Sequence, residues 1–522
     1  MDYPTVRQSS FASLVWQGAP ASIAYDASEK EQRLRALALP CYAVRNGHGV
    51  GLTSQGELRP AGGEGLEVVA VASPLPAQRL GDPAFRAAYG LDYAYVGGSM
   101  ANAIASETMV IALGRAKMLG CFGAGGIGPQ RLADAIRQIQ AELPNGPYAF
   151  NLIHAPNEPA LERGAVELFL KHGVTTVEAS AYLSLTPYVV RYRAAGLSVD
   201  PAGKAVIGNR ILAKLSRREV AVQFMQPAPA KILNELLAEG LITEQQAALA
   251  QTVPMADDVT VEADSGGHTD NRPLVCLLPS MIALRDEIQA KYRFATPLRV
   301  GAAGGIGTPQ AALAAFMMGA AYVVTGSINH ACVEAGTSDH VKALLAQAGM
   351  ADVTMAPAAD MFEMGVNLQV LKRGTLFPMR AKKLYQLYQA HDSIEAIPAD
   401  ERQKLEQQVF QRSLDQVWAD CVEFFNQRDP DQIERAKNNP KRKMALVFRW
   451  YLGLATRWGI TNQKGREMDY QIWCGPAMGA FNDWARGTDL EQPQNRRVAE
   501  VGRHLLEEAA YLYRKQALAF AV

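Results

Sequence analysis

The stretch VGAAGGIGTPQAALAAFMMGAAYVVTGS, residues 300–327, decides the fold. It reads as strand, glycine turn, helix, strand and small-residue turn. Gly304, Gly305 and Gly307 stand where the first strand meets its helix, with Ala303 just before them. Gly326 and Ser327 end the second strand. Glycine lets backbone approach a ligand closely, and N–H groups exposed at a helix start bind phosphate. Either turn alone is compatible with an ordinary tight βα connection. Two such turns one βαβ unit apart have the spacing that holds one phosphate between adjacent strand ends. A dinucleotide fingerprint fails, because it needs an acidic residue about 20 residues on; the next strand here ends in VVTGS.

The same alternation extends toward the N-terminus. Short apolar runs occur at DYAYVG (92–97), LGCFGA (119–124), YAFNLI (148–153), TTVEAS (175–180), ILAKLS (211–216) and VTVEAD (259–264). Together with LRVGAA (298–303) and YVVTGS (322–327) they make eight. Helical stretches lie between most of them. Eight strand–helix units predict an α/β protein with a parallel (β/α)8 TIM barrel over residues 89–330. An open doubly wound sheet is the alternative, but it usually has fewer strands.

Around the barrel the texture differs. Residues 1–88 read as a small β-rich N-terminal module, with strands expected in LPCYAVRNGHGVGLTS (39–54) and LEVVAVASP (66–74). KILNELLAEGLITEQQAALAQ (231–251) reads as a helical pair, inserted at about 225–256. Residues 331–522 read as a mostly helical C-terminal lobe or cap, exemplified by ERQKLEQQVFQRSLDQVWADCVEFFNQ (401–427).

The chain has 522 residues, of which 48% are apolar and 20% charged. Lys+Arg and Asp+Glu number 52 each, a balance that argues against general nucleic-acid binding. No two of the six cysteines form a CxxC pair, so neither a disulfide framework nor a zinc site is suggested. No basic, apolar leader opens the chain, and no apolar run approaches the roughly 18 residues of a membrane span. A soluble, cytoplasmic protein is expected.

Three further places carry chemistry. EADSGGHTD (262–270) ends the sixth strand and puts His268 on a glycine-rich loop at the catalytic rim. A histidine there exchanges protons near neutral pH, although a single histidine is more often structural. Glu262, Asp264 and Asp270 are candidates to orient the loop or are simply solvated, and without a second histidine at ligand spacing no metal site is read. VGGSMANAIAS (96–106) follows the first strand; its small residues suit a flat aromatic ring, and Asn102 both donates and accepts. Asn151 and Lys214 are polar residues at the ends of strands three and five, where ligand groups concentrate in this fold.

Taken together, SMANAIAS with GAGGIG (123–128), SGGH, AAGGIG and TGS resemble the flavin-dependent barrel family of nitronate monooxygenases and FMN-type enoyl-ACP reductases. Longer stretches resemble the PfaD family of trans-acting enoyl reductases from polyunsaturated fatty acid and trans-acyltransferase polyketide synthases. These include EASAYLSLTPYVVRYR (178–193), GSINHACVEAGTSDHVKALL (326–345), KRKMALVFRWYLGLATRW (441–458) and DYQIWCGPAMGAFNDW (469–484).

The resemblance implies FMN, a reduced nicotinamide donor (NADPH or NADH), an acyl carrier protein partner and a place in a synthase complex. It implies that Gly98, Met100, Ala101 and Asn102 line the flavin, and that Ala303, Gly304, Gly305, Gly326 and Ser327 hold its phosphate. Asn151 and Lys214 would reach the ring edge or ribityl chain, Gly266 and Gly267 would pass close to it, and His268 would be the loop histidine and candidate proton donor. TGS is followed by Ile328 and Asn329 where Thr-Arg-Phe is common in the broader family, which leaves the phosphate turn intact and puts a monooxygenase-like pocket in doubt. An acidic carrier would suit a basic patch, and LKRGTLFPMRAKK (371–383) and ERAKNNPKRK (434–443) supply one, or else a solvated helix surface. The large C-terminal region could also provide a homodimer surface.

Overall fold

The structure, a computed structural model, describes residues 14–519 apart from Asn157. Residues 1–13 and 520–522, the outer ends of the expected N-terminal module and C-terminal lobe, lie outside the described residues.

Eight parallel strands close into a barrel: β1 (Tyr95–Gly97), β2 (Leu119–Phe122), β3 (Ala149–Ile153), β4 (Thr176–Ser180), β5 (Arg210–Leu215), β6 (Asp258–Glu262), β7 (Arg299–Ala303) and β8 (Val323–Thr325). Each pairs with its successor, and β8 closes on β1 through Val323↔Tyr95 and Thr325↔Gly97. The strands are almost wholly buried, as parallel strands covered by helices must be. The helices start where local chemistry allows. Thr308 caps Pro309–Met317 by accepting from the Ala311 N–H, with proline at the first position. Ser106 caps Glu107–Arg115 in the same way through Met109. The helical pair after β5 is present as Ala230–Ala238 and Glu244–Ala250.

The start of the barrel is plugged by the helix Pro83–Tyr89. Phe85 stacks on Tyr322 at 4.0 Å, with the rings 12° from parallel. Before it lies a five-stranded sheet in the order 49–53, 41–46, 66–72, 14–17, 57–60. The last helix, Val498–Ala519, returns to this sheet. Its buried Arg514 donates to the carbonyls of Ala36, Leu37 and Leu39. No described helix is long and apolar enough to cross a membrane.

The region after the barrel is mostly helical, with one departure. Val353–Pro357 and Asn367–Leu371 form an antiparallel pair, and the barrel's own Gly267–His268 joins as the third strand. This sheet lays the C-terminal lobe across the mouth of the barrel.

Candidate active site

Polar side chains from the four neighbouring strands β3, β4, β5 and β6 gather on one half of the barrel. Asn151 on β3 donates to the Glu178 carbonyl at 3.1 Å and to Ser180 Oγ at 2.8 Å. Glu178 on β4 reaches across the mouth, and its carboxylate accepts from the Ser99 N–H at 2.8 Å. Lys214 on β5 pairs with Glu262 on β6 at 2.9 Å. Burial alone would push the Lys214 amine down, but Glu262 and Glu178 outweigh it and hold the cation above its ordinary range.

The first loop is sewn to the loop after β2. The Asn102 N–H donates to Gly125 O, and the Ala103 N–H to Gly123 O. Asn102 and Ala103 are both left-handed, at φ 57°. A Cβ on Gly123 would overlap the Met100 carbonyl, and one on Gly126 would overlap the Asn102 side chain. A Cβ on Gly125 would meet Ala101 Cβ at 3.2 Å and Asn151 Oδ1 at 3.5 Å, so these candidates border one space. Gly98 is bonded to the Thr325 carbonyl beside the last turn.

The paired turns follow β7 and β8, the next two strands around the barrel. Ala303 ends β7, and its carbonyl accepts from the Ala263 N–H. Gly304 has φ +84°, and a Cβ there would sit 2.6 Å from the Ala263 carbonyl carbon. Gly305 (φ +75°) and Gly326 face open space where a side chain would begin. The Ser327 hydroxyl accepts from the Gly475 N–H at 2.9 Å.

His268 departs from a simple rim position. Its Nε2–H donates to Asp360 Oδ1 at 3.2 Å, so the C-terminal lobe, not the barrel, orients the ring. Burial favours the neutral ring. The bond and charge of Asp360, helped by Glu262, outweigh it and raise the His268 pKa above the ordinary value. Gly267 pairs with Gln369, while Gly266 packs on the backbone of Cys474. Asp270 accepts from Ser216 and Arg217, and Asp264 from Asn271 and Gln369, so both brace the loop.

Sequence reasoning overlooks three contributors. Glu178 is a carboxylate inside an apolar strand, a signal that TTVEAS does carry. Asp360 and the segment from Trp473 to Ala477 have none, being remote in the chain. The basic stretches are also less available than expected: Lys383 pairs with Glu401, Arg442 with Glu363, and Lys437 with Glu434.

Ser265 Oγ, His330 Nε2 and Trp473 Nε1 are buried without a hydrogen-bond partner among the described residues. Such atoms cost about 1–3 kcal/mol each. Together with the open glycine turns, they fit a phosphorylated cofactor rich in hydrogen-bonding groups.

Residues 90–408, more than half of the chain, match the family model described as nitronate monooxygenase. The chain belongs to that family, on its PfaD branch. The family is one of oxidoreductases. Residues 16–74 match the N-terminal domain of the fatty acid synthase protein PfaD. Residues 391–470 match the inserted helical domain of [acyl-carrier-protein] S-malonyltransferase. One of the polyunsaturated fatty acid synthase subunits of a Thraustochytrium species is 50% identical over 86% of the chain. Polyketide biosynthesis protein PksE of Bacillus subtilis is 48% identical over 85%. The chain spans only 30% and 57% of the lengths of these two relatives. The crystal structure of the enoyl reductase domain of MlnA, from the macrolactin biosynthesis cluster of Bacillus amyloliquefaciens, is 39% identical with a TM-score of 0.81. That match covers 85% of this chain and 100% of the other.

Proposed function

We propose that this protein is an FMN-dependent enoyl reductase that acts on an α,β-unsaturated thioester carried by an acyl carrier protein, within a fatty acid or polyketide synthase. The match to the whole MlnA enoyl reductase domain, over 85% of this chain, carries this reading. The division of the barrel mouth supports it, with open glycine turns after β7 and β8 and charged, hydrogen-bonding groups on β3 to β6. FMN, reduced by NADPH or NADH, would supply the hydride for the β-carbon.

The protein's own residues would do the rest. Gly304, Gly305, Gly326 and Ser327 hold the phosphate, with Ala303 ahead of them. Gly98, Met100, Ala101 and Asn102 would line the flavin. Asn151, whose two amide hydrogens are held by Glu178 and Ser180, would offer its Oδ1 acceptor, and Lys214 its ammonium, to the ring edge or ribityl chain. Gly266 and Gly267 carry the loop past the cofactor. His268, whose protonated form Asp360 favours, would give a proton to the α-carbon.

A flavin spectrum tests the reading. NADPH or NADH should bleach it, and an enoyl-carrier substrate should restore it. Oxygen consumption with a nitronate in the absence of a carrier substrate, together with no recolouring by the enoyl substrate, would replace the reading with nitronate oxidation.

A further inference from the structure

The segment Trp473–Ala477 touches every glycine turn of the proposed phosphate side. Its Gly475 N–H donates to Ser327 Oγ at 2.9 Å after β8. Its Trp473 carbonyl accepts from His330 Nδ1 at 3.1 Å, just beyond that turn. A Cβ on Gly307, in the turn after β7, would overlap the Ala477 carbonyl oxygen. A Cβ on Gly266, in the loop after β6, would lie 2.9 Å from the Cys474 nitrogen. The segment is braced from behind by the lobe's sheet, where Trp473 bridges to Val370.

Two chemical details point from this segment toward a ligand. A hydroxyl has one proton, and the Ser327 oxygen already accepts from Gly475; its proton is therefore directed elsewhere. His330 is 2% exposed and donates through Nδ1, and burial lowers its pKa to about 4. Its ring is neutral, and among the described residues its Nε2 acceptor and the Trp473 indole N–H donor are without hydrogen-bond partners; the indole N–H suits a phosphate oxygen, and the Nε2 lone pair suits a hydroxyl of the ligand.

We propose that Trp473–Ala477 of the C-terminal lobe is a wall of the cofactor-phosphate site, and that Gly475 sets the Ser327 hydroxyl as a donor to the phosphate. This rests on the FMN reading above. The lobe and the cofactor then stabilise each other, because a ligand that contacts both favours the docked state.

The test uses the full chain stripped of flavin, with FMN and riboflavin as probes. Riboflavin lacks the phosphate. Flavin fluorescence gives the affinities, and hydrogen–deuterium exchange follows peptides covering 473–477. FMN should slow exchange in 473–477 of the wild type, and riboflavin should do so much less. Ser327→Ala and Gly307→Ala should each weaken FMN binding about ten-fold or more and leave riboflavin binding within about two-fold. Equal exchange in 473–477 with and without FMN would overturn the proposal, as would FMN affinities unchanged in both variants. The exchange measurement on the wild type holds even if Gly307→Ala fails to fold. If the wild type binds neither flavin, the FMN reading itself falls, and this inference with it.

Discussion

The two ends of the barrel use charge in opposite ways. At the start of the strands, Arg299 grips Asp258 at 2.6 and 2.8 Å, and Tyr89 adds a bond at 2.5 Å. Arg193 pairs with Asp257 at 2.7 Å and caps the Asn209 and Pro254 carbonyls. All these side chains are buried, and the helix Pro83–Tyr89 closes the opening. At the other end, Lys214 and Glu262 keep 17% and 16% of their surface exposed, and His268 and Asp360 keep 34% and 51%. The difference teaches which charges hold the fold and which remain available to a ligand. The first set is satisfied entirely by the protein. The second is paired but reachable, at the end where barrels of this type do their chemistry.

The largest expected effect lies at the closed end. Arg299→Met leaves Asp258 buried without its cation and should cost about 3–5 kcal/mol in chemical denaturation. Lys214→Met, at the open end, should cost less stability and should show its main effect in flavin titration. Equal destabilisation by the two variants would erase the distinction between the ends.

The glycine turns sharpen it further. Gly304→Ala combines a left-handed backbone with a Cβ driven into the Ala263 carbonyl. Gly305→Ala keeps the left-handed cost, about 1–2 kcal/mol, but meets open space. Thermal melts should therefore rank Gly304→Ala as the more damaging of the two.

A smaller effect is expected in pH dependence. His268 binds its proton more tightly folded than unfolded, because Asp360 and Glu262 outweigh burial. The stabilisation from its contact with Asp360 is then full below the unfolded histidine pKa and is lost as pH rises through the folded one. If His268 is the proton donor, kcat should fall over the same rise. Asp360→Asn should move that fall to lower pH, and an unmoved profile would detach Asp360 from the role.

The smallest effect should come from Lys382→Glu with Lys383→Glu. Lys383 is already paired with Glu401, so carrier-dependent KM should rise only modestly. A large rise would restore this stretch as a docking surface.

Much of the barrel was legible because its signals are local. Each strand is a short apolar run, and most of the following turns declare themselves by glycine, by proline or by a capping Ser or Thr. The paired turns at 304–307 and 326–327 were visible for the same reason, since backbone freedom is a property of the residue itself. Lys214 lies one residue before the end of β5, as its strand-end reading expects, whereas Asn151 sits in the middle of β3 rather than at its end. Tertiary structure decided what those residues meet. Asp360 reaches His268 across 92 positions of chain, and Gly475 reaches Ser327 across 148. A strand as short as Gly267–His268 has no period of its own, and exists because Leu368 and Gln369 pair with it. Such contacts follow from how the lobe folds back over the mouth, a long-range packing result that no neighbouring residue encodes.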